Sequence, residues 1–230
     1  MKFNELDQLQ GLQVFQGIQK DDLYRLLRCC GAQLKIYRKG EIIILDEDYL
    51  NWAGIVVSGE IQLFQETMQG TRSLMLLLHR GELFGESFAC GFQQESRMFV
   101  GAVCRAEVLL LPFDRVLHRC DPGCEFHRRL AENMVPMLAD KNVRLMERMQ
   151  IVSQRSLREK VQTYLYLEQK HYEQLPREER NCPDGWFEIS HNRTQMAEFL
   201  CADRTALSRV LTEMKEEKQV DFDKNMFRLT

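Results

Sequence analysis

Residues 194–209 constrain the fold more than any other stretch, because they place two short amphipathic helices on either side of a tight turn. Three apolar residues at helical spacing predict a first helix that buries one face: Met196, Phe199 and Leu200. Thr194 is the expected N-cap of this helix. Small Ala197 allows a second helix to cross closely. The pattern is therefore typical of a helix-turn-helix.

The second helix of this motif is predicted to begin after a turn at Cys201-Ala202, with Asp203 as its N-cap. Its inward residues are Leu207, Val210 and Leu211, and its outward residues are Arg204, Thr205, Ser208 and Arg209. Guanidinium groups pair bidentately with guanine, while hydroxyls and helix N-terminal amides bind phosphates. The outward set, together with Thr194, therefore predicts contact with double-stranded DNA. The alternative is an ordinary helix pair with a solvated charged face.

Two short β-rich runs follow the motif, Val220 to Phe222 and Met226 to Leu229, with a turn between them. This spacing predicts a β-hairpin wing. The preceding stretch from Pro176 to Gly185 is predicted to be a polar loop. A winged helix-turn-helix domain is therefore expected over residues 154–230.

The chain's 230 residues suffice for two modest domains, and 44% hydrophobic residues suffice for their cores. A net charge of -3 excludes a protein coated in positive charge, so DNA affinity must come from a local surface. No apolar run approaches the roughly 20 residues of a membrane helix, and no signal-peptide core is present. We therefore expect a cytoplasmic protein without a membrane partner. Its eight cysteines are expected to be reduced thiols.

The first half of the chain changes from one short helix, Asp21 to Cys30, to a series of short strand-like runs separated by turns. Such a series predicts a β-barrel or jelly roll. We assign residues 1–120 to this domain, as a double-stranded β-helix that acts as the sensor. The predicted fold class is therefore α+β.

Residues 121–153 have a different pattern, with apolar residues near a seven-residue repeat and Pro136 within them. One long helix with an apolar seam is predicted, and its simplest partner is the same helix of a second copy. The expected dimer contacts are Leu130, Met134, Leu138, Leu145 and Met149. The alternative is that this seam packs on the chain's own barrel.

The order of barrel, long helix, helix-turn-helix and wing resembles the Crp/Fnr family of bacterial transcription regulators. The resemblance rests on turn residues Gly40 and Gly59, on the segment 81–87, and on Arg204 with Ser208-Arg209. It implies a homodimer that binds an inverted repeat, contacts RNA polymerase and responds to a small-molecule effector. Many Fnr-type members carry glutamate where this chain has Thr205, so a different half-site is expected.

The resemblance also implies an effector site at Gly85, Glu86, Ser87, Ser96 and Arg97. Cyclic-nucleotide-binding members have an arginine followed by serine or threonine, and that arginine binds the cyclic phosphate. Here Ser96-Arg97-Met98 displaces the arginine by one position, which on a strand turns its side chain to the other face. This argues against cyclic AMP, although a bulge would let Arg97 reach another anion. Glu86 is expected to bond a ligand hydroxyl or to be an exposed turn residue.

Cysteines and histidines offer other sensors, so the effector stays unknown. His118, Cys120, Cys124 and His127 share one segment and are suitable ligands for a soft metal, but their spacing matches no motif and an ordinary polar turn is the alternative. We assign no metal site. Adjacent Cys29-Cys30 disfavours an iron–sulfur cluster. Haem and thiol redox sensing remain open.

No phosphate-loop lysine and no paired nucleophile and base is evident, so the sequence does not indicate an enzyme. The expected function is that of a DNA-binding transcription regulator, controlled through the barrel by a small molecule or a redox signal. The alternative is a nucleotide-binding regulatory subunit that controls a protein partner and lacks the DNA-binding domain.

Overall fold

The computed structural model describes residues 6–44, 51–89, 98–117 and 124–230. The chain divides into two compact units. The first consists of Met1–Thr71 and Leu76–Asn142, and the second of Arg72–Met75 and Val143–Thr230. The sequence boundaries at 120 and 153 remain predictions, since this division falls within the long helix.

Short antiparallel strands form the barrel-like part of the chain. They are β1 (Gln33–Tyr37), β2 (Ile42–Ile44), β3 (Trp52–Ser58), β4 (Ile61–Glu66), β5 (Arg72–Leu78), β6 (Leu83–Phe84), β7 (Met98–Ala102) and β8 (Ala106–Pro112). Within the described ranges they make two four-stranded sheets, ordered β1-β8-β3-β6 and β2-β7-β4-β5. These strands confirm the predicted roll.

One turn of the roll shows why the sequence requires glycine there. Gly59 joins β3 to β4 with φ of +79°, in the left-handed region that residues with a Cβ rarely adopt. A Cβ at this position would lie 2.3 Å from the carbonyl oxygen of Arg105. Both the conformation and the close approach of the two chain segments therefore depend on glycine.

The helices are α1 (Leu6–Gln10), α2 (Lys20–Cys30), α3 (Glu86–Ala89), α4 (Phe113–Leu117), α5 (Glu125–Val152), α6 (Leu157–Gln174), α7 (Arg193–Phe199) and α8 (Arg204–Glu216). The core of the first unit joins α1, α2 and α4 to β3, β8 and the first half of α5. None of the helices in the described ranges combines the length and hydrophobicity that a bilayer requires.

Two of the expected dimer contacts on α5 lie instead in the core of the chain's own first unit. Leu130 is fully buried and Met134 is 4% exposed, and both pack with residues of the roll and of α2. The intramolecular alternative therefore holds for this part of the seam. Leu138 and Met149 are exposed and Leu145 is half-buried.

The second unit is built on α6, which begins with a capping box between Ser156 and Glu159. Tyr164 and Leu165 of α6 are fully buried against α7, α8 and the wing. The wing strands are β10 (Val220–Asp223) and β11 (Met226–Leu229), as predicted. A short strand, β9 (Phe187–Glu188), pairs with β11 and makes the wing three-stranded.

Candidate nucleic-acid interface

Helices α7 and α8 form the predicted helix-turn-helix. Met196 and Leu200 are fully buried and Phe199 is 8% exposed. The turn between the helices passes through Cys201, whose φ is +53°. The amides of Cys201 and Ala202 donate to carbonyl oxygens of α7, which ends the first helix. The local sequence therefore ends α7 and lets α8 begin at Arg204.

The N-cap of α7 is Asn192 and not Thr194, so this expectation was wrong. The Asn192 side-chain oxygen accepts from the amides of Thr194 and Gln195, both at 3.0 Å. The Gln195 side chain accepts in return from the Asn192 amide, which completes a capping box. Thr194 lies in the first turn with its side chain exposed. It stays a candidate for contact with a DNA phosphate.

Asp203 caps α8, as the sequence predicts. Its carboxylate accepts from the amides of Thr205 at 2.8 Å and Ala206 at 3.0 Å. Bonds from the amides of Ala206 and Thr205 lower the pKa of Asp203, so the cap is charged at neutral pH. Because these amides and the corresponding ones of α7 are occupied, they are not free to bind phosphate. Phosphate contacts on this face must come mainly from side chains.

The outward face of α8 is exposed at each of the four expected positions, Arg204, Thr205, Ser208 and Arg209. The Ser208 hydroxyl donates to the carbonyl oxygen of Arg204 at 2.9 Å, so it offers its oxygen as an acceptor. Arg209 lies 3.7 Å from Glu213, but both side chains are exposed and such a pair is weak. The hydrogen-bond donors of this face are therefore concentrated in the two guanidinium groups.

The wing is fixed to the motif by Arg193, a residue that the sequence analysis did not single out. Its guanidinium lies over the rings of Phe222 and Phe227, at 5.0 and 4.7 Å from their centroids. It also donates to the carbonyl oxygen of Lys224 at 2.9 Å. Burial lowers the pKa of Arg193. This arginine orients the wing relative to α7.

The expected effector segment is only partly described. Ser96 and Arg97 lie outside the described residues. Gly85 adopts φ of +80°, and Ser87 is exposed on α3. Glu86 is not an exposed turn residue, because its side chain is 12% exposed and lies 2.7 Å from Lys141 of α5.

The Glu86 and Lys141 pair joins the segment implied as ligand-binding to the long helix. Lys141 also donates to the carbonyl oxygen of Leu83 at 3.4 Å. The second carboxylate oxygen of Glu86 is buried without a hydrogen-bond partner among the described residues. A ligand donor at this position would meet an acceptor that the protein leaves available. No feature of sequence spacing signals this pair, since its members are 55 residues apart.

The segment that holds the candidate cysteine and histidine ligands is also only partly described. His118 and Cys120 lie outside the described residues, whereas Cys124 and His127 lie together, with Sγ 3.1 Å from Nδ1. Cys30 approaches the other ring nitrogen at 3.5 Å. Within the described part of the chain, no group of three or more ligand side chains is arranged to hold a metal ion.

Comparison with known proteins agrees with this architecture. Residues 34–121 match the Cyclic nucleotide-binding domain family. No curated protein sequence is significantly similar to the chain. Among solved structures, the c-di-GMP responsive global regulator CLP of Xanthomonas campestris is 13% identical with a TM-score of 0.68, and the match covers 90% of this chain and 97% of CLP. The chain has the Crp/Fnr fold.

Two further structures extend this similarity. FixK2 of Bradyrhizobium japonicum is 17% identical with a TM-score of 0.60, over 86% of this chain and 92% of FixK2. A transcriptional regulator of the CRP/FNR family from Thermus thermophilus is 19% identical with a TM-score of 0.53, over 86% of this chain and 93% of that chain. The Crp/Fnr fold therefore spans both units of this protein.

Proposed function

We propose that this protein is a homodimeric transcription regulator that binds an inverted repeat in double-stranded DNA and is not an enzyme. The observation that carries the proposal is the exposed face of α8, with two guanidinium groups on a helix that Asp203 caps and a buried core supports. Two such helices, about 34 Å apart in a dimer, would enter successive major grooves on one side of the duplex. We place this activity in the cytoplasm, where the chain would also contact RNA polymerase.

The proposed dimer face lies on α5 beside the buried seam. Its exposed apolar residues include Val135, Leu138, Met146 and Met149, which are successively three, eight and three residues apart. At about 100° per residue these four residues fall within one sector of about 80°, so they share one side of the helix, with the exposed Asn142 between Leu138 and Met146. An exposed apolar stripe of this length is typical of an association surface. We no longer propose Leu130 and Met134 as contacts, because they are buried within the chain.

The effector is proposed to act through the Glu86 segment of the roll. The bond between Glu86 and Lys141 supports this proposal, because a ligand donor that engages the available oxygen of Glu86 would share a carboxylate that also bonds the long helix. The effector itself is a small molecule whose class is not assigned. The alternative of a regulatory subunit without a DNA-binding domain is not retained, because the second unit contains the complete winged motif.

Substitution of Arg209 tests the DNA-reading role. We expect Arg209→Ala to lose about 1–3 kcal/mol of discrimination between specific and non-specific duplexes, because one bidentate base contact is removed. Arg177→Ala is the matched control, since it removes the same charge from an exposed turn of the same unit. Binding to duplexes selected by the wild-type protein would be measured at fixed salt. Equal specificity in the Arg209 variant and the wild type would overturn the proposed recognition face.

A further inference from the structure

A cluster of two thiols and one imidazole lies at the start of α5, apart from the DNA-reading face. His127 is in the first turn of the helix and is 2% exposed. Cys124 directly precedes the helix and is half-buried, while Cys30 ends α2 and is fully buried. Cys124 Sγ lies 3.1 Å from Nδ1 of the imidazole, and Cys30 Sγ lies 3.5 Å from Nε2. The ring is therefore held between two sulfur atoms.

This geometry favours proton transfer over metal binding. The two nitrogens of an imidazole point in different directions, so an ion bound at either nitrogen would meet only one of the two thiols. A thiol beside an imidazole, in contrast, is the arrangement that generates a nucleophilic thiolate.

The two thiols differ in access. Cys30 is fully buried and out of reach of a solute, whereas Cys124 is partly exposed. Cys124 also stands directly before the first residue of a 28-residue helix. Burial lowers the pKa of His127, so its ring is neutral at pH 7 and one nitrogen accepts a proton. When Nε2–H faces Cys30, Nδ1 is the acceptor that faces Cys124.

We propose that Cys124 is a peroxide-reactive thiol and that His127 is its base. Nδ1 takes the proton from the thiol, and the sulfur attacks one oxygen of hydrogen peroxide. An S–O bond forms and the O–O bond breaks, and the departing hydroxide takes the proton from Nδ1 to leave as water. The sulfur is oxidised by two electrons and the peroxide is reduced, which leaves a sulfenic acid on Cys124.

The regulatory consequence rests on the proposed function. A sulfenic acid is larger and more polar than a thiol, and here it would form next to a buried ring at the base of α5. Leu130 and Met134, in the next two turns, fix this helix to the core of the first unit. Oxidation would therefore alter the packing of the helix that we propose as the dimer element. The chemistry itself does not depend on DNA binding.

The direct test compares cysteines within one protein. The full-length reduced chain would be treated with hydrogen peroxide in the presence of dimedone, and labelling at each cysteine would be followed by mass spectrometry. Cys29 and Cys201 are exposed, so accessibility alone predicts that they react first. We expect Cys124 to be labelled at least about tenfold faster than either, because a positioned base assists its reaction. Labelling of Cys29 or Cys201 at an equal or higher rate would overturn the proposal.

Variants separate the role of the base from simple exposure. His127→Gln retains hydrogen bonding without a basic nitrogen, and we expect it to reduce Cys124 labelling to the rate of Cys29. Cys29→Ser is the matched control and should leave the Cys124 rate unchanged. An unchanged rate in a folded His127 variant would contradict the assignment of the base. If that variant fails to fold, the comparison among cysteines of the wild-type chain remains decisive.

DNA binding would be measured separately on the oxidised and reduced protein. Selective labelling of Cys124 without any specific DNA binding would retain the thiol chemistry and reject the proposed function. Specific DNA binding without selective labelling of Cys124 would retain the proposed function and reject the thiol chemistry. If Cys124 is labelled selectively and DNA affinity is the same before and after oxidation, the regulatory consequence is wrong.

Discussion

Individual side chains decide where the helices of the DNA-binding motif begin. Asn192 and Thr194 are both suitable N-cap residues, and the apolar spacing by itself favours Thr194, which is nearer to the first buried residue. The structure selects Asn192 because Gln195, three residues later, bonds back to its amide. This capping box was present in the sequence and would have identified the correct start. Asp203 was predicted correctly as the N-cap of α8.

Alanine substitutions at these two positions should therefore differ. We expect Asn192→Ala to destabilise the second unit by about 1 kcal/mol, because the amides of Thr194 and Gln195 lose their acceptor. Thr194→Ala should leave the free energy of unfolding nearly unchanged, since its side chain is exposed. Urea denaturation of both variants provides the comparison. A larger loss in the Thr194 variant would contradict the assigned cap.

Glu168 of α6 predicts a pH-dependent contribution to stability. Burial raises the pKa of Glu168 from 4.5 to about 7, and nearby His171 and Arg144 oppose this while Glu147 adds to it. Between about pH 4.5 and about pH 7, the folded chain therefore binds more protons at Glu168 than the unfolded chain does. The free energy of unfolding therefore falls as the pH rises through this window, and above it the penalty is constant at about 3 kcal/mol or less.

Glu168→Gln should remove this penalty. We expect the variant to be more stable than the wild type at pH 8 and to differ little from it at pH 4.5, where the wild-type carboxyl is largely protonated when folded. Glu178→Gln is the control, because this carboxylate is exposed on a surface turn. Thermal unfolding at both pH values measures the difference. Equal stabilisation at the two pH values would refute the burial of a neutral Glu168.

At the scale of elements, local sequence patterns predicted the positions of the strands and short helices well. They predicted poorly which face of the long helix is buried. The strands of the roll, the wing and the helix-turn-helix follow from alternation or helical spacing within a few residues. Helix α5 instead has two apolar faces, one buried around Leu130 and one exposed around Met146. A sequence pattern does not show which face meets the roll, because that depends on residues distant in the chain. The predicted seam mixed members of both faces.

A charge on the exposed face of α5 should dissociate the proposed dimer. In a symmetric pair, Met146→Lys would place two like charges close together in the seam, and the side chain is 61% exposed in the single chain, so folding should be retained. Asp140→Lys is the control, because this exposed residue lies on a different side of the helix. Sedimentation velocity reports the oligomeric state. A dimeric Met146 variant would show that the interface lies elsewhere.

At the scale of the whole molecule, the order of the two units was predictable from the sequence. The side-chain contacts between residues distant in the chain were not. The roll, the long helix and the winged motif each leave a distinct sequence pattern, and their sequence order agrees with the Crp/Fnr fold. The bond between Glu86 and Lys141 joins residues 55 positions apart, and the contact of Cys30 with His127 joins residues 97 apart. Such contacts arise from the packing of whole elements, which no local pattern encodes.

The central claim, that two recognition helices of a homodimer read an inverted repeat, is tested most directly by selecting bound sites from random duplex DNA. The purified, reduced, full-length chain would be used, with and without a cell metabolite extract. We predict enrichment of an inverted repeat whose half-site centres lie about one helical turn apart. Dependence on the extract would show that an effector controls binding. No enrichment in either sample, or enrichment of a single asymmetric site, would contradict the account.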